Sequence, residues 1–417
     1  MQGTSHLEID LTAIDHNLAV LRRALISSGR SAKICAALKA DAYGLGAVRI
    51  AKRLSIRAID MIAVYTLDQA RDLVDAAIQQ PILVLMPAQG FDRSDSLYRA
   101  AQQGRIHFTI HDLHSLELVA ALGERLGMAL PVHVELDTGM ARGGSNPETA
   151  TQLVQQIADT RRLWLAGLST QFASAGTDEL MTFEQASMLA DWAADLGDLV
   201  PSDCVMHLSN TSGVFRSAAL HSGMVRVGAG LLGYASEHFG DPQAAELIDL
   251  AGELKPAVRW LSRIVHVQEV EAGRTVGYAA AWRATRRTRL GLVPVGYAEG
   301  YPYTLSSDLR HGAAGEMTKV GVSTANGTEY VDVIGRVSMD QIVIDLTDLD
   351  QEITIGSTVE LYGNEKNAPN HVPTLAKAAG VNTYELLCRV NPKVPRVYLA
   401  VEEAKAVQRS DVAALAR

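Results

Sequence analysis

Short apolar, β-branched runs bounded by turn residues recur through the first 235 residues, and the stretches between them carry helical periodicity. The runs are Lys33–Lys39, Ala58–Thr66, Pro81–Pro87, Arg105–Asp112, Pro131–Asp137, Leu163–Thr170, Cys204–Asn210 and Met224–Gly230. Intervening segments such as LDQARDLVDAA and HDLHSLELVAALGERL place apolar residues three and four apart, as one buried helix face requires. Eight strand-helix units predict a parallel (β/α)8 barrel of the TIM type, with a doubly wound open sheet as the alternative the pattern leaves open. From about Val258 the rhythm changes to alternating runs with Gly turns: VRWLSRIVHVQEV, TVGYAAAWRA, TRLGLVPVGYAEG, VDVIGRVSMDQIVIDL and ITIGSTVELYG. These predict a C-terminal β domain, followed by a helical segment TLAKAAGVNTYELLCRV, a last strand PRVYLAV and a solvated helical tail VEEAKAVQRSDVAALAR. The expected fold class is therefore α/β plus all-β, with the barrel over 1–245 and the β domain over 246–417.

Composition narrows the classes. The 417 residues leave room for two or three domains, and 47% hydrophobic with 20% charged residues is a globular balance that excludes a disordered chain. A mean hydropathy of +0.06 is too low for a multispan membrane protein. Lys and Arg number 38 against 47 Asp and Glu, a net charge of −9 with no long basic run, so nucleic acid is a poor partner. Cys35, Cys204 and Cys388 are far apart and form no CxxC pair, so neither a disulfide framework nor a zinc site is expected, and a reduced cytoplasmic setting fits. The opening MQGTSHLEID has no apolar stretch of the kind a secretory signal needs.

In a barrel of this kind the C-terminal ends of the strands face the active site. The run ICAALKADAYGLG is uncharged from Ile34 until Lys39 at its end, with Asp41, Tyr43, Gly44 and Gly46 just after it. A lysine desolvated there can serve as an imine-forming amine or a base, the alternative being a snorkelling or ion-paired side chain. VHVELDTGMARGG ends in Glu135, Asp137 and Arg142 around a Gly turn, either a carboxylate network orienting one arginine or a surface ion pair. HLSNTSG brings His207, Asn210 and Thr211 to the start of a helix, and MVRVGAG brings Arg226 inward with the Gly228 and Ala229 amides at a turn. Turns and helix starts after the seventh and eighth strands are where such barrels hold phosphate.

Together these blocks resemble the alanine racemases, fold-type III pyridoxal phosphate enzymes. ALKADAYGLG is similar to the family's cofactor-lysine signature and HVELDTGMARGG to its DTGM-x-R block; HLSNTSG, MVRVGAGLLGY, ELKPAV, VGYAAAW, PVGYAEGYP, GRVSMDQ and NTYELLCRV follow in family order over about residues 6 to 400. The resemblance implies pyridoxal 5′-phosphate bound covalently to Lys39, with Lys39 and Tyr278 as the two bases of racemisation. It implies that Tyr278 comes from the β domain of the second subunit in a head-to-tail homodimer. Tyr43, Asn210, Thr211, Gly228, Ala229 and Tyr384 match positions around the cofactor phosphate, and Gln171, His207 and Arg226 positions near its ring. Arg142 matches the residue near the cofactor's phenolic oxygen and the substrate carboxylate, and Met339 and Asp340 the loop placed over the substrate. An arginine cannot give up its proton at ordinary pH, so Arg226 beside the ring nitrogen would keep it unprotonated and disfavour transamination. Resident metal, membrane and nucleic acid have no place in this reading.

Three positions depart from the family pattern. Glu135 stands where many members have a carbamylated lysine, and supplies a carboxylate directly. Gln171 stands where a histidine usually packs on the cofactor and links Tyr278 to Arg226; an amide neither titrates nor stacks like an imidazole. Ser338 replaces a common cysteine. The rival readings are a racemase of serine or of several amino acids on the same scaffold, and a non-catalytic pyridoxal phosphate-binding protein. The second resembles the barrel alone and would lack Tyr278 and the Met339 loop.

Overall fold

The structure, a computed structural model, describes residues 4–27, 32–87, 90–235, 245–309, 317–350 and 352–400. The chain divides into two compact units. One comprises Ala13–Ala42 and Gly46–Lys255; the other takes the residues up to Thr12, Tyr43–Leu45, and those from Pro256 on.

The first unit is the expected closed barrel. After β1 (His6–Asp10), which belongs elsewhere, come β2 (Lys33–Ala37), β3 (Met61–Val64), β4 (Ile82–Val84), β5 (Ile106–Ile110), β6 (Leu130–Glu135), β7 (Leu163–Ser169), β8 (Val205–His207) and β9 (Met224–Val227). Each lies inside one of the eight apolar runs or within a residue of it, trimmed where the chain turns into a loop. All neighbouring pairs are parallel, and β2 closes on β9 with Cys35 opposite Arg226. The open-sheet alternative is thereby excluded. The helices between them form where periodicity and caps coincide. Thr66 accepts from the Gln69 amide to start Leu67–Asp75. Asp112 and Ser115 cap each other's backbone at the head of Leu113–Leu126, which Gly127 ends in the left-handed conformation. Part of the core is apolar, with Cys35, Met61, Ala63, Leu83 and Met224 in one cluster.

The second unit is built on a nine-stranded sheet. Its strands are β10 (Val258–Arg263), β11 (His266–Val270), β14 (Thr288–Val293), β15 (Lys319–Thr324), β16 (Gly327–Ile334), β17 (Ile342–Asp345), β18 (Thr358–Tyr362) and β19 (Arg396–Leu399), together with β1. A separate ribbon joins β12 (Thr275–Val276) to β13 (Trp282–Arg283). The sheet order is β11-β14-β17-β16-β15-β18-β10-β1-β19, so the first strand of the chain sits between β10 and β19, antiparallel to one and parallel to the other. Five residues at the N-terminus carry too little pattern to announce such a partner. Trp260, Tyr301 and Tyr362 are fully buried in this unit, with Trp260 and Tyr362 edge to face at 4.9 Å and the Trp260 indole donating to Ser5 Oγ at 2.7 Å.

Three expectations for this region are corrected. TVGYAAAWRA is not a continuous strand: Tyr278–Ala280 forms a tight turn in which Ala279 and Ala280 have φ of 56° and 50°, incompatible with extended backbone. VRWLSRIVHVQEV breaks into β10 and β11 around Ile264. TLAKAAGVNTYELLCRV forms two helices, Val372–Ala379 and Thr383–Cys388, because Gly380 ends the first at φ 72° and Asn382 caps the second through the Glu385 amide. The tail from residue 401 lies outside the described residues. Among those described, no helix is long and apolar enough to cross a membrane.

Leu7 on β1 is fully buried and faces Trp260 across the ladder. Leu7→Ala should lower unfolding free energy by about 2–5 kcal/mol, the usual cost of a large-to-small core change. Denaturant titration of the two proteins checks this, and an unchanged midpoint would contradict the central placement of β1.

Candidate active site

Lys39 follows β2 and is half-buried. It opens a turn, Lys39–Gly44, in which Ala40, Asp41, Ala42 and Tyr43 all have φ between 53° and 61°. The turn therefore winds left-handed, at a cost of about 1–2 kcal/mol per residue. None of these residues is β-branched, which keeps the strain from being prohibitive. The Ala42 amide bonds back to Leu38 O at 2.9 Å, and the Asp41 carboxylate accepts from the Ala47 amide at 2.7 Å, fixing the turn at both ends.

The loop after β6 carries Glu135, Asp137 and Arg142. Asp137 does not grip the guanidinium; its Oδ1 accepts from the amides of Gly139, Met140 and Ala141, each at 3.0 Å. Backbone bonds from Asp137 N to Ser145 O and from Ser145 N to Glu135 O close the loop. Ala141 is held at φ 51°, next to an exposed Arg142. His111 Nδ1 accepts from the Gly144 amide at 2.9 Å while Nε2 meets Leu85 O at 2.8 Å, so the ring is the neutral Nε2–H tautomer and its 3.9 Å approach to Glu135 is no ion pair.

Arg226 on β9 reaches inward to neutral acceptors. Its Nη1 meets His207 Nδ1 and His207 O, and its Nη2 meets Thr170 O at 2.6 Å and Gln171 Oε1 at 3.3 Å. Burial holds it below the usual arginine range, with Glu135 pulling the other way and Arg142 adding to the depression. Asn210 caps the helix Thr211–Arg216 by accepting from the Gly213 amide at 3.0 Å. Thr211 Oγ1 accepts from the Gly230 amide at 3.0 Å, which leaves its O–H to donate. Gly228 and Ala229 are buried at the head of the short turn Ala229–Leu232. The barrel unit thus gathers Lys39, Glu135, Arg142, Gln171, His207, Asn210, Thr211, Arg226, Gly228 and Ala229 at its strand ends or in the loops just after them.

The second unit holds the rest. Tyr43 and Tyr384 lie 5.8 Å apart between ring centres, and burial pushes both phenols up, Tyr43 further by the neighbouring Tyr384 and Cys388. The turn bearing Tyr278 approaches the loop after β16 so closely that a Cβ on Gly277 would lie 3.2 Å from the Arg336 amide. The Ala298 amide bonds to Met339 O at 2.9 Å and the Tyr297 amide to Ser338 O at 3.1 Å, which ties down the loop carrying Met339 and Asp340. Tyr278 and Met339 are 69% and 54% exposed, an unusual display for large apolar side chains.

Two family models cover most of the chain: the alanine racemase N-terminal domain over residues 9–236 and the alanine racemase C-terminal domain over 257–398. The chain belongs to the alanine racemase family. Its relatives include the Cutibacterium acnes alanine racemase, 31% identical over 404 residues and covering 95% of this chain and 98% of that one. The biosynthetic alanine racemase of Pseudomonas aeruginosa superposes with a TM-score of 0.77 at 31% identity, covering 96% of this chain and all of the other. The Bartonella henselae alanine racemase shares the fold at a TM-score of 0.74 and 23% identity, over 95% of this chain and 100% of that one, and carries covalently bound pyridoxal phosphate. The family is one of amino-acid racemases, so the protein is an isomerase of that group.

Within an alanine racemase fold two polar residues of the barrel interior went unread in the sequence, His107 and His133. His107 Nδ1 lies 2.9 Å from His133 Nε2, and His133 Nδ1 lies 2.8 Å from His207 Nε2. Their signal was a lone histidine inside an otherwise buried strand, in IHFTI and LPVHVE, away from the strand ends where chemistry was sought. Desolvation pushes His107 down to about 4 from 6.5, against a pull from the Gly104 backbone, and holds His133 and His207 well below the usual range, with Arg226 adding to the depression of both.

A native state that keeps these rings neutral binds fewer protons than the unfolded chain, whose imidazoles titrate near 6.5. Stability is full above that value and is lost as pH falls toward 4. Near pH 5 unfolding should take up close to three protons on these rings, a slope of about 4 kcal/mol per pH unit. His107→Gln should remove about one third of that slope in urea titrations repeated across pH. A flat profile between pH 6.5 and 5 would rule out three neutral imidazoles.

Proposed function

We propose that this protein is a cytosolic alanine racemase, interconverting L- and D-alanine with pyridoxal 5′-phosphate carried on Lys39, and that it works as a homodimer. The observation that carries the reading is Arg226, a charged donor at the barrel mouth whose hydrogen bonds go to two carbonyls, an imidazole and an amide. Such a group leaves a ring nitrogen unprotonated, which suits racemisation and disfavours transamination. The donor set fits the cofactor. Lys39 offers an amine, the Thr211 hydroxyl and the Gly228 and Ala229 amides offer donors to a phosphate, and Arg226 offers a partner to the ring. When bound, pyridoxal phosphate supplies an electron sink that acidifies the amino acid's Cα.

Proton transfer is then needed on both faces of Cα, which a single base serves only by moving. Lys39 takes or returns the proton on one face and Tyr278 on the other. Arg142 receives the substrate carboxylate, and Met339, through its amide, and Asp340 belong to the loop placed over the substrate. Glu135, whose charge is felt at Arg226, supplies a carboxylate directly, without carbamylation. Tyr278, Tyr297, Tyr303 and Met339 are all exposed on the second unit, an apolar display that supports burial against another subunit.

Purified protein supplied with pyridoxal phosphate should form D-alanine from L-alanine in preference to other amino acids in a panel. Borohydride reduction followed by peptide mapping should label Lys39; a label on Lys33 or Lys52 would overturn the assignment. If sites are shared between subunits, mixing inactive Lys39→Ala and Tyr278→Phe proteins should restore part of the activity. No recovery after demonstrated subunit exchange would count against sharing.

A further inference from the structure

The barrel interior contains a line of polar contacts that runs from Arg226 to two residues the proposed chemistry does not use, His133 and His107. Arg226 Nη1 meets His207 Nδ1, His207 Nε2 meets His133 Nδ1, and His133 Nε2 meets His107 Nδ1. A guanidinium has donors only, so the direction of every link is determined. Arg226 donates to His207 Nδ1, which makes His207 the Nε2–H tautomer; it donates to His133, which donates in turn to His107. His107 meets the Gly104 backbone in a contact that favours charge on the ring, as donation to a carbonyl does.

The fold makes room for this line. On β7 the register slips by one residue beside His133, so that His133 pairs with Gly167 while Val132 pairs with Leu165. A Cβ on Gly167 would lie 2.2 Å from His133 Nδ1, so only glycine leaves space for the ring. The apolar cluster of Cys35, Met61, Ala63, Leu83 and Met224 offers no strong hydrogen-bonding competitor.

We propose that His107, His133 and His207 form a one-way hydrogen-bond chain that presents a fixed, neutral acceptor to Arg226, which makes His133 and His107 positioning residues for that guanidinium. A carboxylate in the same place would fix Arg226 but cancel its charge, and a lone imidazole would leave its Nε2–H buried without an acceptor and so hold its place less firmly. The chain does neither. Each donated bond enriches the acceptor nitrogen of the donating ring, so His207 accepts more strongly than it would alone. The chain is also closed to net proton flow, because Arg226 has no lone pair with which to accept. The consequence for catalysis rests on the cofactor reading given above; the direction of the chain does not.

The test uses the full-length holoenzyme with 15N-labelled histidine. Ring-nitrogen chemical shifts at pH 7 should report neutral Nε2–H tautomers at His107, His133 and His207, and an Nδ1–H or charged ring at His133 or His207 overturns the chain. His133→Leu should strip the His207 Nε2–H of its acceptor, move the His207 ring-nitrogen resonances from their hydrogen-bonded positions and lower kcat about tenfold with KM for alanine nearly unchanged. His133→Gln, whose amide both accepts and donates, should restore the His207 resonances and most of the activity. Equal losses in the Leu and Gln variants, or His207 resonances unmoved by Leu, defeat the positioning role. Should His133→Leu fail to fold, His107→Leu cuts the chain one link further out and should give the same signature with a smaller loss of about threefold. A protein that keeps the tautomers but binds no pyridoxal phosphate would retain the chain and refute the cofactor reading instead.

Discussion

A permanent positive charge inside a barrel constrains everything near it. Arg226 can neither be neutralised at ordinary pH nor left without acceptors, and desolvating it is costly. Among the described residues the usual remedy, a carboxylate in direct contact, is absent from its hydrogen bonds; Glu135 acts on it only through space. The acceptors are instead two carbonyls at strand ends, one imidazole and one amide. This explains why the polar side of the barrel interior is made of neutral rings, why β7 carries a bulge, and why glycine occupies position 167.

Backbone strain is the second ordering feature. Left-handed φ at Ala40–Tyr43, Ala141 and Ala279–Ala280 adjoins Lys39, Arg142 and Tyr278, the residues assigned to the amine, the carboxylate site and the second base. Such conformations cost on the order of 1–3 kcal/mol each and persist only where surrounding bonds determine them. At Arg142 the determinant is visible: Asp137 collects three successive amides and forces the turn. A carboxylate that looked like a partner for the guanidinium serves the backbone instead, and so places the arginine indirectly.

The barrel was legible because its strands are short, mostly apolar runs and several of its helices begin at a side-chain cap, at Thr66, Asp112, Asn146 and Asp178, so local signals agree with the global fold. The strand ends bearing Lys39, Asn210 and Arg226 were legible for the same reason, since polar residues there interrupt the apolar pattern. Legibility failed where conformation depends on partners distant in sequence. Nothing in HLEID indicates that it pairs with residues near 260 and 397. The alternation in TVGYAAAWRA looked extended, yet two alanines accept positive φ there and reverse the chain. His107 and His133 were invisible as a line because their relation exists only once the barrel closes and three separate strands bring their rings into contact.

The placement of β1 also governs the order in which the protein can be completed. It precedes both its partners by a long stretch of chain, since its antiparallel partner β10 begins at Val258 and its parallel partner β19 only at Arg396. The barrel strands all lie between, so that unit has its whole sequence available while β1 still lacks both neighbours. Until β19 is made, a five-residue strand with Leu7 and Ile9 on one face keeps at least one edge unpaired, the kind of exposed edge that joins a wrong chain. Its brevity and the presence of Glu8 and Asp10 limit that hazard, while closing so long a loop makes docking of β1 a late and slow event. A chain that breaks off before β19 would therefore carry every barrel strand and a β1 with one open edge.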